Sequence, residues 1–158
     1  MLAIHPQTLV VRTSAFFGPW DCHNFLTLAL QALAADETFD AADDLIVSPT
    51  YVPDLVQTCL DLLIDRESGI WHLSNNAALS WHQFAQRACR LGGIDASGLI
   101  ARPAAHFDSV AAQPRYSALT SERGILLPTL DDALARYFDT ATALAESGAA
   151  QAAHYGSN

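Results

Sequence analysis

The chain has 158 residues, 51% of them hydrophobic, the size of one domain that can bury a core without metal or disulfide staples. Eight arginines and no lysine face seventeen acids, and the resulting net charge of −9 repels nucleic acid and anionic membrane surfaces. Without lysine there is no Walker-type phosphate loop, no Schiff-base nucleophile and no Tyr-x-x-x-Lys dyad, and no G-x-G-x-x-G opens a dinucleotide-binding unit.

In chain order, Thr8 to Thr13 is β-branched and apolar and predicts a buried strand that runs into a loop from Ser14 to Pro19. Asn24 to Ala35 places Phe25, Leu28, Ala29 and Ala32 at helical spacing, with Asn24 as the cap. Asp36 to Asp44 holds five acids in nine residues and lacks the order and turn glycine of a calcium loop, so it reads as a solvated acidic loop. Leu45 to Val47 is a short apolar run. Pro49 and Pro53 then stiffen the approach to a helix ending near Asp65, with Val52, Leu55, Val56, Cys59, Leu60 and Leu63 as its expected core face. Ile70 to Leu73 predicts another strand and Ser74 to Asn76 a turn.

Ser80 with Gln83 forms a capping-box pair. The helix it starts carries Trp81, Phe84, Ala88 and Leu91 on one face and ends at Gly92 or Gly93. Leu99 to Ala101 predicts a short strand, Arg102 to Tyr116 an irregular stretch. Thr129 caps a last helix whose core face is Leu130, Leu134, Tyr137 or Phe138, Ala141 and Leu144. We expect one domain over residues 1–147 and a frayed tail over 148–158. The apolar runs are too short to span a bilayer, the opening residues show no secretory signal, and three widely spaced cysteines match neither a disulfide framework nor a zinc site. A cytoplasmic protein is expected.

Arg12, a charge near the end of an apolar strand, reads equally as half of an ion pair with an acid such as Asp54 or as a ligand contact. Thr13 and Ser14 stand at the strand edge where open α/β sheets present ligand-binding groups. Asn24 can cap its helix and also aim its amide at a ligand, while Thr50 and Tyr51 offer hydroxyls from a stiff loop. Arg115 is one of few cations able to offset a diphosphate. His72 reads as a half-buried strand residue, Trp81 and Phe84 as packing, and His23, His82 and His106 have no partner at ligand spacing. No catalytic residue and no metal ligand set is assigned within the chain.

Taken in order, Leu9 to Ser14, Asn24-Phe25, Asp43-Asp44, Ser48 to Tyr51 with Asp54-Leu55, Gly69 to Ser74, Ser80-Trp81 with Phe84-Ala85, and Pro114 with Ser117 resemble the C-terminal half of dTDP-4-dehydrorhamnose reductases. The likeness covers roughly residues 8 to 138 and lies within the extended short-chain dehydrogenases. It implies an α/β fold of helices and short strands, the substrate-binding part of a Rossmann-type enzyme whose nucleotide-binding half is missing. It implies an NADPH-using reductase of the C4 ketone of a 4-keto-6-deoxy sugar nucleotide, inactive as this piece alone. Thr13 and Ser14 would lie near nicotinamide and sugar, Asn24 and Thr50 would line the pocket, and Arg115 would approach from a late loop. The resemblance also raises magnesium, for which the sequence offers no ligands. The chain departs from the family at Ala15, where tryptophan is usual, at Gln113 for arginine, at Thr120 for aspartate and at Val47 for glycine. Those departures leave two alternatives open: a non-catalytic reductase-like module fused to another enzyme, or an epimerase or dehydratase of the same superfamily. An unpaired first strand further predicts self-association of the chain.

Overall fold

The computed structural model describes residues 5–107, 113–124 and 126–155. In chain order its elements are β1 (Leu9–Arg12), β2 (Phe16–Phe17), α1 (Phe25–Ala34), β3 (Phe39–Ala42), β4 (Ile46–Val47), β5 (Thr50–Tyr51), α2 (Val52–Ile64), β6 (Gly69–His72), β7 (Leu79–Ser80), α3 (Trp81–Gly92), β8 (Leu99–Arg102) and α4 (Leu130–Tyr155). The strands pair two by two: β1 with β6, β2 with β5 and β3 with β8 in parallel, β4 with β7 antiparallel. Parallel neighbours need a crossover, and α2 supplies it between β1 and β6.

Alternation along β1 and β6 gives this pair two different faces. Leu9, Val11, Trp71 and Leu73 point toward α2, where they meet Leu55, Cys59 and Leu62, with Leu127 closing the cluster. The second, larger core gathers α1, α3 and α4 around Phe17, Leu26, Tyr51, Phe84, Leu134 and Tyr137. Ser80 and Gln83 exchange the two capping-box bonds at 3.1 and 2.9 Å, and Gly93 ends α3 in the left-handed region at φ +66°, as the sequence predicts. Close approach of α3 to α4 requires Gly92, since a Cβ there would stand 2.5 Å from Phe138 Cζ. Thr129 caps α4 by accepting from the Asp132 amide at 3.3 Å.

Three expectations change. The acidic stretch 36–44 is not all loop: Phe39 to Ala42 forms β3, because Ala41 and Ala42 are buried and Asp40 is paired with Arg102. On α2, Leu55 and Cys59 face the core together with Leu62, whereas Val52, Val56, Leu60 and Leu63 are exposed; Leu28, Leu91 and Leu144 are exposed as well. Arg12 does not pair with Asp54. That carboxylate is taken by Arg136, and Arg12 stands exposed with no ion pair among the described residues. The expected tail of 148–158 lies partly outside the described residues.

Among the described residues Asp54 is the one deeply buried carboxylate of an ion pair, its side chain 7% exposed. Arg136 meets both its oxygens, one at 2.9 Å, and its guanidinium also lies 5.2 Å from the Tyr51 ring centroid. Asn75 donates to Asp54 at 2.9 Å and to the Pro128 carbonyl at 2.9 Å, while its own carbonyl accepts from the Tyr51 amide at 2.7 Å. Hydrogen bonds to Asp54, and then to Asp132, hold the Arg136 guanidinium well above its ordinary pKa. Arg136→Met should therefore cost about 3 kcal/mol, because it leaves a buried charge without its partner. Arg87→Met, which breaks the more exposed pair with Asp131, should cost about 1 kcal/mol or less. Urea unfolding of both variants checks the contrast.

Hydrogen bonds from Arg87 hold the Asp131 carboxyl below the usual carboxylate range. Its folded pKa lies under the unfolded one, so the pairing contributes fully above about pH 4 and is lost as pH falls through the depressed value. Asp131→Asn should flatten the fall in stability between about pH 4 and pH 2.

Candidate functional site

At the C-terminal end of β1 the chain turns sharply. Ala15 takes φ +45°, a left-handed conformation that is costly with a Cβ, and its carbonyl accepts from the Thr50 amide at 3.0 Å. This brings two expected site residues together, since the Thr13 hydroxyl donates to Thr50 Oγ1 at 3.2 Å. Thr50 is fully buried and donates onward to the Ser48 carbonyl at 3.3 Å. Thr13 and Ser14 line an open groove whose other wall is Tyr116 to Leu119.

Asn24 is buried and acts as the helix cap: its carbonyl accepts from the Thr27 amide at 3.1 Å, and its amide donates to the Gly18 carbonyl at 3.0 Å and to Thr27 Oγ1 at 2.9 Å. Thr27 Oγ1 in turn meets the Tyr137 hydroxyl at 2.9 Å, and burial pushes that phenol above its ordinary pKa. Tyr51 is buried between Phe17, 5.2 Å away, and Arg136. Arg115 is exposed, and its carbonyl accepts from the Ile46 amide at 2.8 Å. His72 is half-buried with Nδ1 2.8 Å from the Thr120 carbonyl oxygen. Of the six expected residues, Thr13 and Ser14 thus stand at the β1 edge, Asn24, Thr50 and Tyr51 are buried, with Thr50 joined to Thr13, and Arg115 is a surface cation.

A second concave feature with an apolar lining lies elsewhere, between α1, β3, the start of α3 and a single helical turn at Ala104–His106. It is a cleft of about 550 Å3. Phe25, Phe39, Trp81 and Phe107 supply aromatic walls, and Asp40 and Gln113 supply polar groups. Phe25 anchors the wall, its ring 4.6 Å from Trp81 and 5.6 Å from Phe39. Asp40 fixes the opposite rim by accepting from Arg102 at 3.2 Å and contacting His106 Nε2 at 3.0 Å, while Asp44 accepts from the Ala104 amide at 2.7 Å. Sequence reading took Trp81 and Phe25 only as helix packing. Trp81 both packs on Phe25 and faces the cleft, and the one available signal was Gln113, singled out already as a departure from the family. Apolar walls with a few convergent polar groups are the usual make-up of a small-molecule site.

The family model described as the RmlD substrate binding domain matches residues 1–142. The chain belongs to that family. It is 30% identical over 141 residues to a probable low-salt glycan biosynthesis reductase of Haloferax volcanii, covering 84% of this chain and 47% of that protein. It is 29% identical over 124 residues to the dTDP-4-dehydrorhamnose reductase of Mycolicibacterium smegmatis, covering 78% of this chain and 38% of that protein. Among solved structures, dTDP-4-dehydrorhamnose reductase from Bacillus anthracis in complex with NADP superposes with a TM-score of 0.76 at 28% identity, over 84% of this chain and 48% of the other. The ortholog from Clostridium acetobutylicum gives 0.77 at 25% identity, over 87% and 50%. The RmlD substrate-binding domain therefore spans half or less of the length of these relatives.

No three His, Cys, Asp or Glu side chains gather as a metal site among the described residues. The adjacent glycines form no pyrophosphate cradle: Gly92 lies inside α3 and Gly93 ends it, whereas such a cradle opens a helix. No helix among the described residues is long and apolar enough to cross a membrane. Since Asp40 ties β3 to the turn that carries Phe107, Asp40→Ala should speed amide exchange over Ala104 to Phe107 and lower stability by about 1 kcal/mol. Exchange unchanged from wild type would show that Asp44 alone holds this wall.

Proposed function

We propose that this domain is the sugar-nucleotide-binding part of an NADPH-dependent reductase acting on the C4 ketone of a 4-keto-6-deoxy sugar nucleotide, and that it is inactive by itself. The observation that carries the reading is the aromatic cleft in a chain whose sequence holds no G-x-G-x-x-G motif. Flat walls at Phe25, Phe39 and Trp81 suit a nucleobase, and Asp40 and Gln113 can meet its polar edge. In an acidic chain the diphosphate needs a local cation, the role given to Arg115. Thr13 and Ser14, in the groove at the β1 edge, would meet the sugar, with Thr50 supporting Thr13 through its hydroxyl and the buried Asn24 and Tyr51 contributing through the α1 cap and the contact with Arg136. NADPH would be held by the N-terminal half that the longer relatives possess, and that half would complete the sheet at β1. Three free thiols accord with a cytoplasmic setting. Without that half, the bare β1 edge would let two copies of this chain pair.

A second reading, a reductase-like module that binds without catalysis, draws on Ala15 and Gln113, which remove an aromatic wall and a cation. Steady-state assay of the longer protein with NADPH and a 4-keto sugar nucleotide separates the two.

Calorimetry of this chain with NADPH should give no heat of binding, and a clear isotherm would overturn the inactive-alone reading. In the longer protein, Arg115→Ala should weaken sugar-nucleotide binding by roughly 1.5–3 kcal/mol. Unchanged affinity would remove Arg115 from the site.

A further inference from the structure

The loop that leaves β1 turns two large rings outward. Phe16 is 54% exposed and Trp20 59%, whereas tryptophan is highly buried in most folds. Alternation along β2 accounts for Phe16: Phe17 points into the larger core, 5.2 Å from the Tyr51 ring and 5.3 Å from that of Phe84, so its neighbour points out. Trp20 leans over Gly18, where a Cβ would stand 3.7 Å from Trp20 Cε3. With Phe17, Asp21 and Val52 these residues line a hollow of about 210 Å3. The loop is held at both ends. At one, the Ala15 carbonyl accepts from the Thr50 amide; at the other, the buried Asn24 side chain donates to the Gly18 and Asp21 carbonyls, and Asp21 Oδ1 accepts from the His23 amide at 2.8 Å. Rings fixed in this way lose little freedom when a ligand arrives.

The hollow sits beside the groove that Thr13 and Ser14 line. Ser14 is two residues from Phe16, so their Cα atoms are within about 7 Å. Asn24, which clamps the loop, also caps α1, whose first residue Phe25 walls the aromatic cleft. The volume lies below the roughly 300–1,000 Å3 of a whole ligand site, which admits one ring and not a nucleotide. Apolar walls with a single carboxylate repel phosphate and suit a hydroxylated ring. The C–H face of a pyranose meets the electron-rich faces of the aromatic rings, and the Asp21 carboxylate has lone pairs left for a hydroxyl. A methyl in place of a hydroxymethyl group adds apolar area to that contact. Thr13 and Ser14 bring hydroxyls to the same edge, so the apolar contact falls to this loop.

We infer that Phe16 and Trp20 seat the apolar face of the sugar ring while Asp21 accepts from one of its hydroxyls, which makes Trp20 a specificity-determining residue for the sugar. This rests on the sugar-nucleotide reading of the domain, and it assigns the residues that distinguish the sugar end of the ligand from its base end. Stacking of the nucleobase on Trp20, or burial of the hollow under another protein segment, are the competing outcomes.

The test titrates dTDP-L-rhamnose and dTDP into this chain and its Trp20→Ala and Trp20→Phe variants by calorimetry. Wild type should hold dTDP-L-rhamnose about five- to tenfold more tightly than dTDP, the share of one aromatic contact. Trp20→Ala should erase that ratio and leave dTDP affinity within about twofold, and Trp20→Phe should keep part of it. Both variants should melt within about 2 °C of wild type, because the ring is exposed. Equal wild-type affinity for the two ligands overturns the inference. So does a Trp20→Ala variant that weakens both alike, which would put the base on this ring, and so does a structure of the longer protein with another segment filling the hollow. If wild type binds neither ligand, the sugar-nucleotide reading fails, and free L-rhamnose decides the seat by the indole N–H signals, that of Trp20 being identified by its loss in Trp20→Phe. A shift of Trp20 with Trp71 and Trp81 unmoved supports a sugar seat without the nucleotide, and no shift overturns the seat as well.

Discussion

One buried carboxylate sets the frame. Asp54 sits in the first turn of α2 and is held by Arg136 from α4 and by Asn75 from the turn after β6, with Asn75 also reaching back to Tyr51 and forward to Pro128. Three segments far apart in sequence, 51–54, Asn75 and 128–136, meet there. An ionised group so enclosed is tolerable only while every partner stays in place, so each segment has little freedom to shift. Tyr51 is pinned under Arg136, its neighbour Thr50 is fixed with it, and Thr50 in turn meets Thr13 at the end of β1. The strand edge where ligand chemistry is expected is thus tied to this knot through Tyr51 and Thr50.

Around this knot the domain divides its labour. The β1–β6 pair with α2 is a fragment of a layered sheet, with one strand edge and one lateral helix face uncovered. The larger core of α1, α3 and α4 is complete, and it carries the aromatic cleft on its outer side. Under the proposed function, the cleft on the larger core would recognise the substrate and a partner segment would carry the redox step.

What could be read from the sequence was local. The Ser80–Gln83 box, the Asn24 and Thr129 caps and the Gly93 stop each depend on residues within a few positions, so their chemistry is visible in the letters. The ordered family motifs likewise pointed to the right fold. Long-range choices were hidden: Asp54 is claimed by a residue 82 positions away, and no pattern around Arg12 could exclude the wrong pairing. β3 was masked by acids that the structure pairs or leaves at the strand ends. The cleft was invisible because residues 25, 39, 81, 107 and 113 become neighbours only after folding. On α2, periodicity showed every apolar position but not that they serve two faces.

The central claim is that the cleft between α1, β3 and α3 receives the base of a sugar nucleotide. A crystal of this chain, or of the longer protein, soaked with dTDP tests it most directly. The account predicts density for the thymine ring against Phe25 and Trp81, with its polar edge toward Asp40 or Gln113. An empty cleft with dTDP bound in another part of the protein would contradict it.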